Sequence, residues 1–158
     1  MKKAFLLFVC IVLMFSLSSC ATIEKDFELS QECENIQSIE IYNSERFYYE
    51  RDIHWFRGEN TPIALLSEEE YSAFLDSIAK IKFEKEIVFF PIPMDGGCDY
   101  QGYIVIIAYA DGGYDVISEG GQYSYAIGKD GQGRHTYDYA NFCGNEPWAD
   151  FIEKYISK

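Results

Sequence analysis

The sequence predicts a two-layer α+β domain in which two amphipathic helices pack on an antiparallel meander sheet. Three observations predict it: short β-rich runs separated by glycine turns, two stretches with helical periodicity, and an aromatic content of 17%. So many aromatic side chains are typical of a packed, β-rich core rather than of a disordered chain. About 138 of the 158 residues follow an N-terminal leader, a length that suits a single domain.

The first helix is predicted from a capping box at Ser67-Glu68-Glu69-Glu70. In this motif the side chains of Ser67 and Glu70 satisfy each other's backbone N–H groups at the start of a helix. The apolar residues that follow recur at i, i+3, i+4 and i+7, the spacing of one buried helical face. They are Tyr71, Phe74, Leu75 and Ile78.

The second helix is predicted to begin at Asn145 as its cap, with Pro147 in the first turn, where proline is tolerated. The same apolar spacing follows, and both helices are therefore expected to lie on a sheet. The apolar face consists of Trp148, Phe151, Ile152, Tyr155 and Ile156.

Between and before the helices the pattern is typical of strands. Ile39 and Ile41 alternate with polar residues, and three glycine-rich turns lie at 111–113, 120–121 and 129–133. Turns this short join neighbouring antiparallel strands, so they indicate a meander. The predicted strands around these turns are 86–90, 103–110, 114–118, 122–127 and 134–142.

The N-terminus has the layout of a signal peptide. Lys2 and Lys3 precede an apolar run at 4–17, which is shorter than the roughly 18 residues that a spanning helix needs. The run leads to Leu17-Ser18-Ser19-Cys20, which resembles the lipobox of bacterial lipoproteins. An uncleaved anchor helix and a plain secretory signal are the alternatives.

The lipobox resemblance implies cleavage before Cys20, so that 1–19 is a removed signal peptide. It also implies a diacylglycerol thioether on the Cys20 sulfur and an acylated amine. The protein is then expected on the extracytoplasmic face of the cell membrane. Ala21 rather than Asp follows the cysteine, which by resemblance to Gram-negative lipoproteins does not signal inner-membrane retention, so an outer membrane is a further destination.

Behind the cysteine, 20–35 is interpreted as a polar tether and 36–158 as one α+β domain. Removing Lys2 and Lys3 from the 13 basic residues leaves 11 against 26 acidic ones, and hence a net charge of −15. Phosphates and anionic lipid headgroups repel such a domain, which argues against nucleic-acid binding and leaves the lipid as the membrane attachment. A basic protein partner suits this charge.

Three cysteines lie behind Cys20. Cys98 and Cys143 stand beside glycines in loop-like settings and are the favoured disulfide pair, with Cys33 left over. Three reduced thiols are the alternative. A CxxC pair and closely spaced His and Cys ligands are absent from the sequence, so neither a metal site nor a cofactor is predicted.

Alternation along two predicted strands places aromatic residues on shared faces. Tyr123 and Tyr125 share one face, and His135, Tyr137 and Tyr139 share a face of the next strand. If the two faces adjoin, they form a row that stacks on sugar rings or binds a protein. The alternative is that these rings pack beneath the helices or form cross-strand pairs.

These observations favour a non-catalytic, lipid-anchored domain that binds an envelope or secreted protein. The first alternative is carbohydrate or cell-wall binding through the tyrosine face. The second is a small hydrolase that uses His54 or His135, which requires one of them in a concave site beside an acid or a thiol. The sequence contains no nucleophile motif that supports the second alternative.

Overall fold

In a computed structural model, nine strands, three α-helices and one 3₁₀ turn account for the regular structure of the described residues. These residues are 21–48, 53–87, 99–128, 130–139, 141–143 and 147–157. Side chains are described over 26–44, 53–82, 102–128, 130–136 and 147–157. The predicted α+β class is confirmed.

Six strands form an open antiparallel sheet in the order β3-β2-β5-β6-β7-β8. Its last four members follow each other along the chain, which confirms the predicted meander. The strands are β2 (Ile36–Tyr48), β3 (Ala64–Leu65), β5 (Asp99–Tyr109), β6 (Tyr114–Ser118), β7 (Gly121–Ile127) and β8 (Gly133–Tyr139).

The predicted glycine turns join these strands. Gly112 has φ of 91° between β5 and β6, a conformation that glycine adopts without steric cost. The Asp111 carboxylate accepts a hydrogen bond from the Gly113 N–H at 2.8 Å, the pattern of an Asx turn. Local chemistry therefore fixes the β5–β6 register.

A second antiparallel sheet has the order β1-β4-β9, with β1 at Ala21–Asp26, β4 at Lys82–Ile87 and β9 at Asn141–Cys143. The prediction of one strand at 134–142 is corrected, because β8 belongs to the large sheet whereas β9 pairs with β4. The predicted strand at 86–90 overlaps only the end of β4, and 88–90 lie outside the described residues.

The interpretation of 20–35 as a tether is also corrected over most of its length. β1 pairs with β4 along all six of its residues, and Phe27 is buried in the core. A 3₁₀ turn at Cys33–Asn35 then leads into β2. Polar composition indicated a solvated chain, but strand pairing satisfies the backbone of this segment and one aromatic ring anchors it.

Both predicted helices are present. α2 spans Glu68–Ile78, and the Ser67 N–H donates to Glu70 Oε2 at 2.9 Å, which confirms the capping box. α3 spans Trp148–Ile156, with Pro147 just before its first turn rather than inside it. The prediction of Asn145 as the cap is corrected, because Pro147 occupies the N-cap position; Asn145 itself lies outside the described residues.

The helices α2 and α3 pack on one face of the large sheet, as predicted. Phe74 and Ile78 of α2 share a cluster with Ile39 and Ile107 of the sheet. The Trp148 indole N–H of α3 donates to the Tyr103 carbonyl at 2.7 Å, which fixes the helix to β5. Residues 104–107 are fully buried on both faces, as in a central strand.

The opposite face of the sheet carries a short helix, α1 (Ile53–Glu59), that the sequence pattern did not predict. Ile53 and Phe56 are buried against Ile104 and Ile106 of β5. Seven residues give too few repeats for a helical period to stand out, so tertiary packing stabilises this helix. None of the described helices has the length and apolar character required to span a membrane.

Candidate binding surfaces

Strand register brings the predicted aromatic residues together across β6, β7 and β8. Tyr114 stands opposite Tyr125, which stands opposite His135, and Tyr123 stands opposite Tyr137. The four residues with described side chains, Tyr114, Tyr123, Tyr125 and His135, are called the aromatic row. They lie on the α1 face of the sheet, away from α2 and α3.

Ring contacts run continuously through the aromatic row. The Tyr114 and Tyr125 rings are stacked with centroids 5.4 Å apart, and the Tyr125 and His135 centroids are 4.6 Å apart. The Tyr123 and His135 rings lie 5.6 Å apart and only 10° from parallel. Such pairs stabilise neighbouring strands beyond the area that they bury.

Hydrogen bonds link the polar ends of these rings. The Tyr123 hydroxyl bonds to Nδ1 of His135, and the hydroxyls of Tyr114 and Tyr123 are 3.4 Å apart. Tyr125 lies directly over Gly133, where a Cβ atom would collide with the tyrosine ring. An aromatic ring that covers a glycine on the neighbouring strand is a known means of stabilising a sheet.

Exposure rises along the aromatic row toward β8. Tyr114 and Tyr123 are buried, Tyr125 is half-buried and His135 is exposed. Tyr123, at 3% exposure, therefore supports the row from within the core and offers no open ring to a ligand. Tyr137 and Tyr139 are placed by register on the same face of β8, and their side chains lie outside the described residues.

The sequence reasoning missed Tyr114, although a signal for it exists. The tight turn at Glu119 and Gly120 sets Ser118 opposite Gly121, and counting four residues away from the turn on each strand pairs Tyr114 with Tyr125. Only the strand pairing showed that Tyr114 completes the row.

A second surface on the same face was not foreseen at all. Three large apolar side chains are exposed: Leu65 at 65% on β3, Ile63 at 45% just before β3, and Trp55 at 50% on α1. Leu65 belongs to the edge strand β3 and stands opposite Glu40, and the Ile63 N–H donates to the Ile41 carbonyl at 2.8 Å. We call Trp55, Ile63 and Leu65 the apolar patch.

A partly buried ion pair holds α1 beside this patch. Arg57 of α1 donates to both carboxylate oxygens of Glu40, with Nε to Oε2 at 3.0 Å. Glu40 is 6% exposed and also accepts hydrogen bonds from the Tyr42 hydroxyl at 2.6 Å and the Ser38 hydroxyl at 2.7 Å. Every carboxylate oxygen is thereby satisfied, as a buried charge requires.

The hydrogen bonds around Glu40 shift the pKa values of two groups, Glu40 and Tyr42. Burial raises the pKa of the Glu40 carboxyl, but the hydrogen bonds from Tyr42, Ser38 and Arg57 outweigh it, so this pKa lies below its ordinary value. Burial and the hydrogen bond to Glu40 raise the pKa of Tyr42 well above its ordinary value. Glu40 is therefore charged and Tyr42 neutral at physiological pH.

The other face of the sheet holds a second buried carboxyl group. Asp115 of β6 is fully buried and accepts hydrogen bonds from the Tyr109 hydroxyl and, at 2.9 Å, from the Ser30 N–H. Burial and the charge of Asp115 raise the pKa of the Tyr109 phenol. Asp115 Oδ1 and the Ser30 hydroxyl have no hydrogen-bond partner among the described residues.

A shallow groove of about 270 Å³ adjoins Ser30. The Gln122 side-chain amide crosses it to the Glu28 carbonyl at 2.6 Å. The groove is open to solvent, unlike the enclosed clefts that hold most small molecules. Its lining consists of Glu28, Leu29, Ser30, Gln122, Ser124, Ala126 and Thr136.

The histidine and the cysteines that the sequence singled out do not come together in one described site. His54 of α1 and Cys33 are exposed. Cys20 and Cys98 lie outside the described residues, and Cys143 is described only as the β9 residue opposite Lys82. Within the described residues, no group of three or more His, Cys, Asp or Glu side chains could hold a metal ion.

No family model matches the chain, and no curated protein or solved structure shows significant similarity to it.

Proposed function

We propose that the protein is a lipid-anchored, non-catalytic binding domain on the extracytoplasmic side of a bacterial membrane, and that it binds an envelope or secreted protein. The observation that carries this proposal is the apolar patch. Large apolar side chains that are half or more exposed, such as Trp55 and Leu65, are of the kind that interaction sites bury.

The helix that carries part of the patch is held in place, which supports a binding role for the patch. Glu40 and Arg57 tie α1 to β2, so Trp55 is carried by an anchored helix rather than by a loop. A surface held in place loses less conformational entropy on binding. The net charge of −13 favours a basic partner, whose encounter would be accelerated by electrostatic attraction.

The aromatic row supports the carbohydrate alternative less well. Sugar stacking needs the open faces of several rings, and two of its three described tyrosines, Tyr114 and Tyr123, are buried. The hydrolase alternative has even less support, since His135 is exposed within a layer of tyrosine rings. A protein ligand for the patch therefore remains the better proposal.

The anchor is proposed on the lipobox resemblance alone. Because β1 begins at Ala21, directly after Cys20, a lipid on that cysteine would hold the small sheet at the membrane surface. In this arrangement the partner must come to the membrane. A Cys20→Ala chain is expected in the soluble extract or as an unprocessed precursor, and a lipid-free product that stays on membranes would contradict the anchor.

Site-specific photo-crosslinking in cells tests the binding surface. A photoreactive residue at Leu65 is expected to capture one basic protein in good yield, whereas the same residue at Ser72, exposed on α2 across the sheet, should not. Capture by Leu65 should fall when Ile63→Ser is added, because that change removes apolar area without burying a polar group. Adducts to lipid alone, or equal capture at both positions, would contradict the proposal.

A photoreactive residue at His135 addresses the carbohydrate alternative. Adducts to cell-wall glycan at this position, together with no protein adduct at Leu65, would favour glycan binding through the aromatic row.

A further inference from the structure

The strand β8 forms one edge of the six-stranded sheet in the described part of the chain. Residues 133–136 are all exposed. The Gly128 N–H donates to the Gln132 carbonyl at 2.8 Å where the β7–β8 ladder begins. Because hydrogen-bonded pairs alternate along an antiparallel ladder, 134, 136 and 138 bond toward β7, and the backbone groups of 133, 135, 137 and 139 point to the outer edge.

An edge of this kind accepts another strand unless a device prevents it. Proline, which blocks many natural edges, does not occur between residues 133 and 139. β8 pairs with β7 over seven residues without a register shift, so no bulge interrupts it. The outer edge is therefore a regular template for one further strand.

The sequence of β8 is complementary to itself when read in the opposite direction. With Thr136 at the centre, Arg134 meets Asp138, His135 meets Tyr137, and Gly133 meets Tyr139. The first is an opposite-charge pair and the second an aromatic pair, both of which stabilise antiparallel strands. The third sets a tyrosine directly opposite a glycine; between β7 and β8, Tyr125 covers Gly133 from the diagonal position, since it stands opposite His135.

We propose that two copies of this protein pair through β8, antiparallel, about a two-fold axis at Thr136. The interface is isologous, so every favourable pair occurs twice. The backbone groups of 133, 135, 137 and 139, which point outward, meet those of the second copy in hydrogen-bonded pairs. Thr136 meets Thr136 of the second copy in the closer, non-hydrogen-bonded type of pair.

Pairing in this register joins the two large sheets into one of twelve strands. The aromatic row of each copy ends at His135, so the two rows meet at the axis and continue across it. Leu65 of the apolar patch lies on β3, at the opposite edge of each sheet, and stays accessible. A dimer would therefore present two partner-binding surfaces from one membrane-attached unit.

The self-complementary pattern is what favours a second copy over a peptide from another protein. A foreign strand could use the same backbone groups. The placement of Arg134 and Asp138 at equal distances from Thr136, however, favours only a strand of the same sequence. The net charge of −13 on each copy opposes pairing over long range. Screening limits that repulsion to about 8 Å at physiological salt, so pairing should weaken at low ionic strength.

Cysteine crosslinking of the full chain in isolated membranes tests the register, in a Cys33→Ser background and with a mild oxidant. Thr136→Cys should form a disulfide-linked dimer, because residues directly opposite in a non-hydrogen-bonded pair have Cα atoms about 4.5 Å apart, within disulfide range. Ser72→Cys, equally uncharged and exposed on α2, is the control for random collision and should stay monomeric.

Charge exchange tests the pairing independently of the crosslink position. Adding Arg134→Asp to the Thr136→Cys chain sets like charges opposite each other twice and should lower the dimer fraction about tenfold. Adding Asp138→Arg as well restores opposite charges and should restore the crosslink. Circular dichroism on the same variants separates loss of pairing from loss of fold.

The result expected is a Thr136-specific dimer that Arg134→Asp reduces about tenfold and the double exchange recovers. Equal crosslinking at Thr136 and Ser72, no dimer at Thr136 in a folded chain, or no recovery by the double exchange would each overturn the proposal. A disulfide adduct of Thr136→Cys with a different polypeptide would also overturn it and would point to a foreign strand at β8.

Discussion

The guanidinium of Arg57 forms a two-point contact with the buried carboxylate of Glu40, with Nε 3.0 Å from Oε2. This contact joins α1, on the face that carries the apolar patch, to the second strand of the large sheet. Glu40 is 6% exposed, whereas the Arg57 side chain is 32% exposed, so solvent screens the pair only in part. This contact and two others, between Asp115 and Ser30 and between Tyr125 and Gly133, lead to four testable expectations.

Arg57→Ala should lower the free energy of unfolding by about 2 kcal/mol, because it leaves a buried carboxylate without its cation. The value is below the roughly 3–5 kcal/mol of fully buried pairs, since the Arg57 side chain is 32% exposed. Urea unfolding measures the change. Lys82→Ala, which removes the exposed contact of Lys82 with Asp26, is the control and should change stability by less than about 1 kcal/mol.

The free energy of unfolding should fall in acid because the Glu40 carboxylate becomes protonated. Its pKa is lower in the folded protein than in the unfolded chain, so the unfolded state takes up protons first as the pH falls. The contribution is complete above the ordinary carboxyl pKa of about 4.5 and is lost as the pH falls through the lowered value. Glu40→Gln should be less stable than wild type at pH 7, with a gap that narrows toward pH 3; a constant gap would contradict this assignment.

Asp115 should hold the segment at 27–31 against the sheet and protect its backbone from hydrogen exchange. The Ser30 amide donates to its carboxyl group across 85 positions of sequence, so removal of the acceptor should expose that amide to exchange. We expect Asp115→Ala to speed hydrogen exchange at Ser30 tenfold or more relative to Ile106 of β5, given the roughly 1.5–3 kcal/mol of a charged hydrogen bond. Asp115→Asn keeps an oxygen acceptor and should recover part of the protection; uniform loss at both sites would instead indicate global destabilisation.

Gly133→Ala should destabilise the protein by about 1–3 kcal/mol, because the added Cβ collides with the Tyr125 ring. Gly58→Ala in α1 is the matched control, since a Cβ there meets nothing within 4 Å and should stabilise by about 0.5 kcal/mol. Thermal unfolding compares the two. If the collision is the cause, Tyr125→Ala in the Gly133→Ala chain should cost less than Tyr125→Ala alone.

Much of the fold was predictable because its signals are local. The capping box at Ser67 and the glycine at position 112 act within a few residues, and the structure confirms both. α1 was missed because its seven residues carry no helical period, and its stability depends on burial of Ile53 and Phe56 against β5. Local rules do not contain that information.

The candidate surfaces also divide into features that local sequence predicts and features that depend on tertiary packing. Alternation along β7 and β8 correctly placed Tyr123, Tyr125 and His135 on shared faces, since side-chain direction in a strand has a period of two. Exposure did not follow from alternation: Tyr123 is buried, whereas Leu65, which the pattern did not single out, is 65% exposed. Whether a strand face meets solvent depends on what packs above it.

The sequence by itself determined the α+β class, the meander, the two long amphipathic helices and the acidic net charge, because each arises from composition or from contacts between near neighbours. Only the tertiary structure decided that residues 21–26 pair with β4, that Glu40 meets Arg57, and that β3 and β8 form the edges of the large sheet among the described residues. These features join residues far apart along the chain. Their free energy depends on burial and pairing that exist only once the sheet has formed.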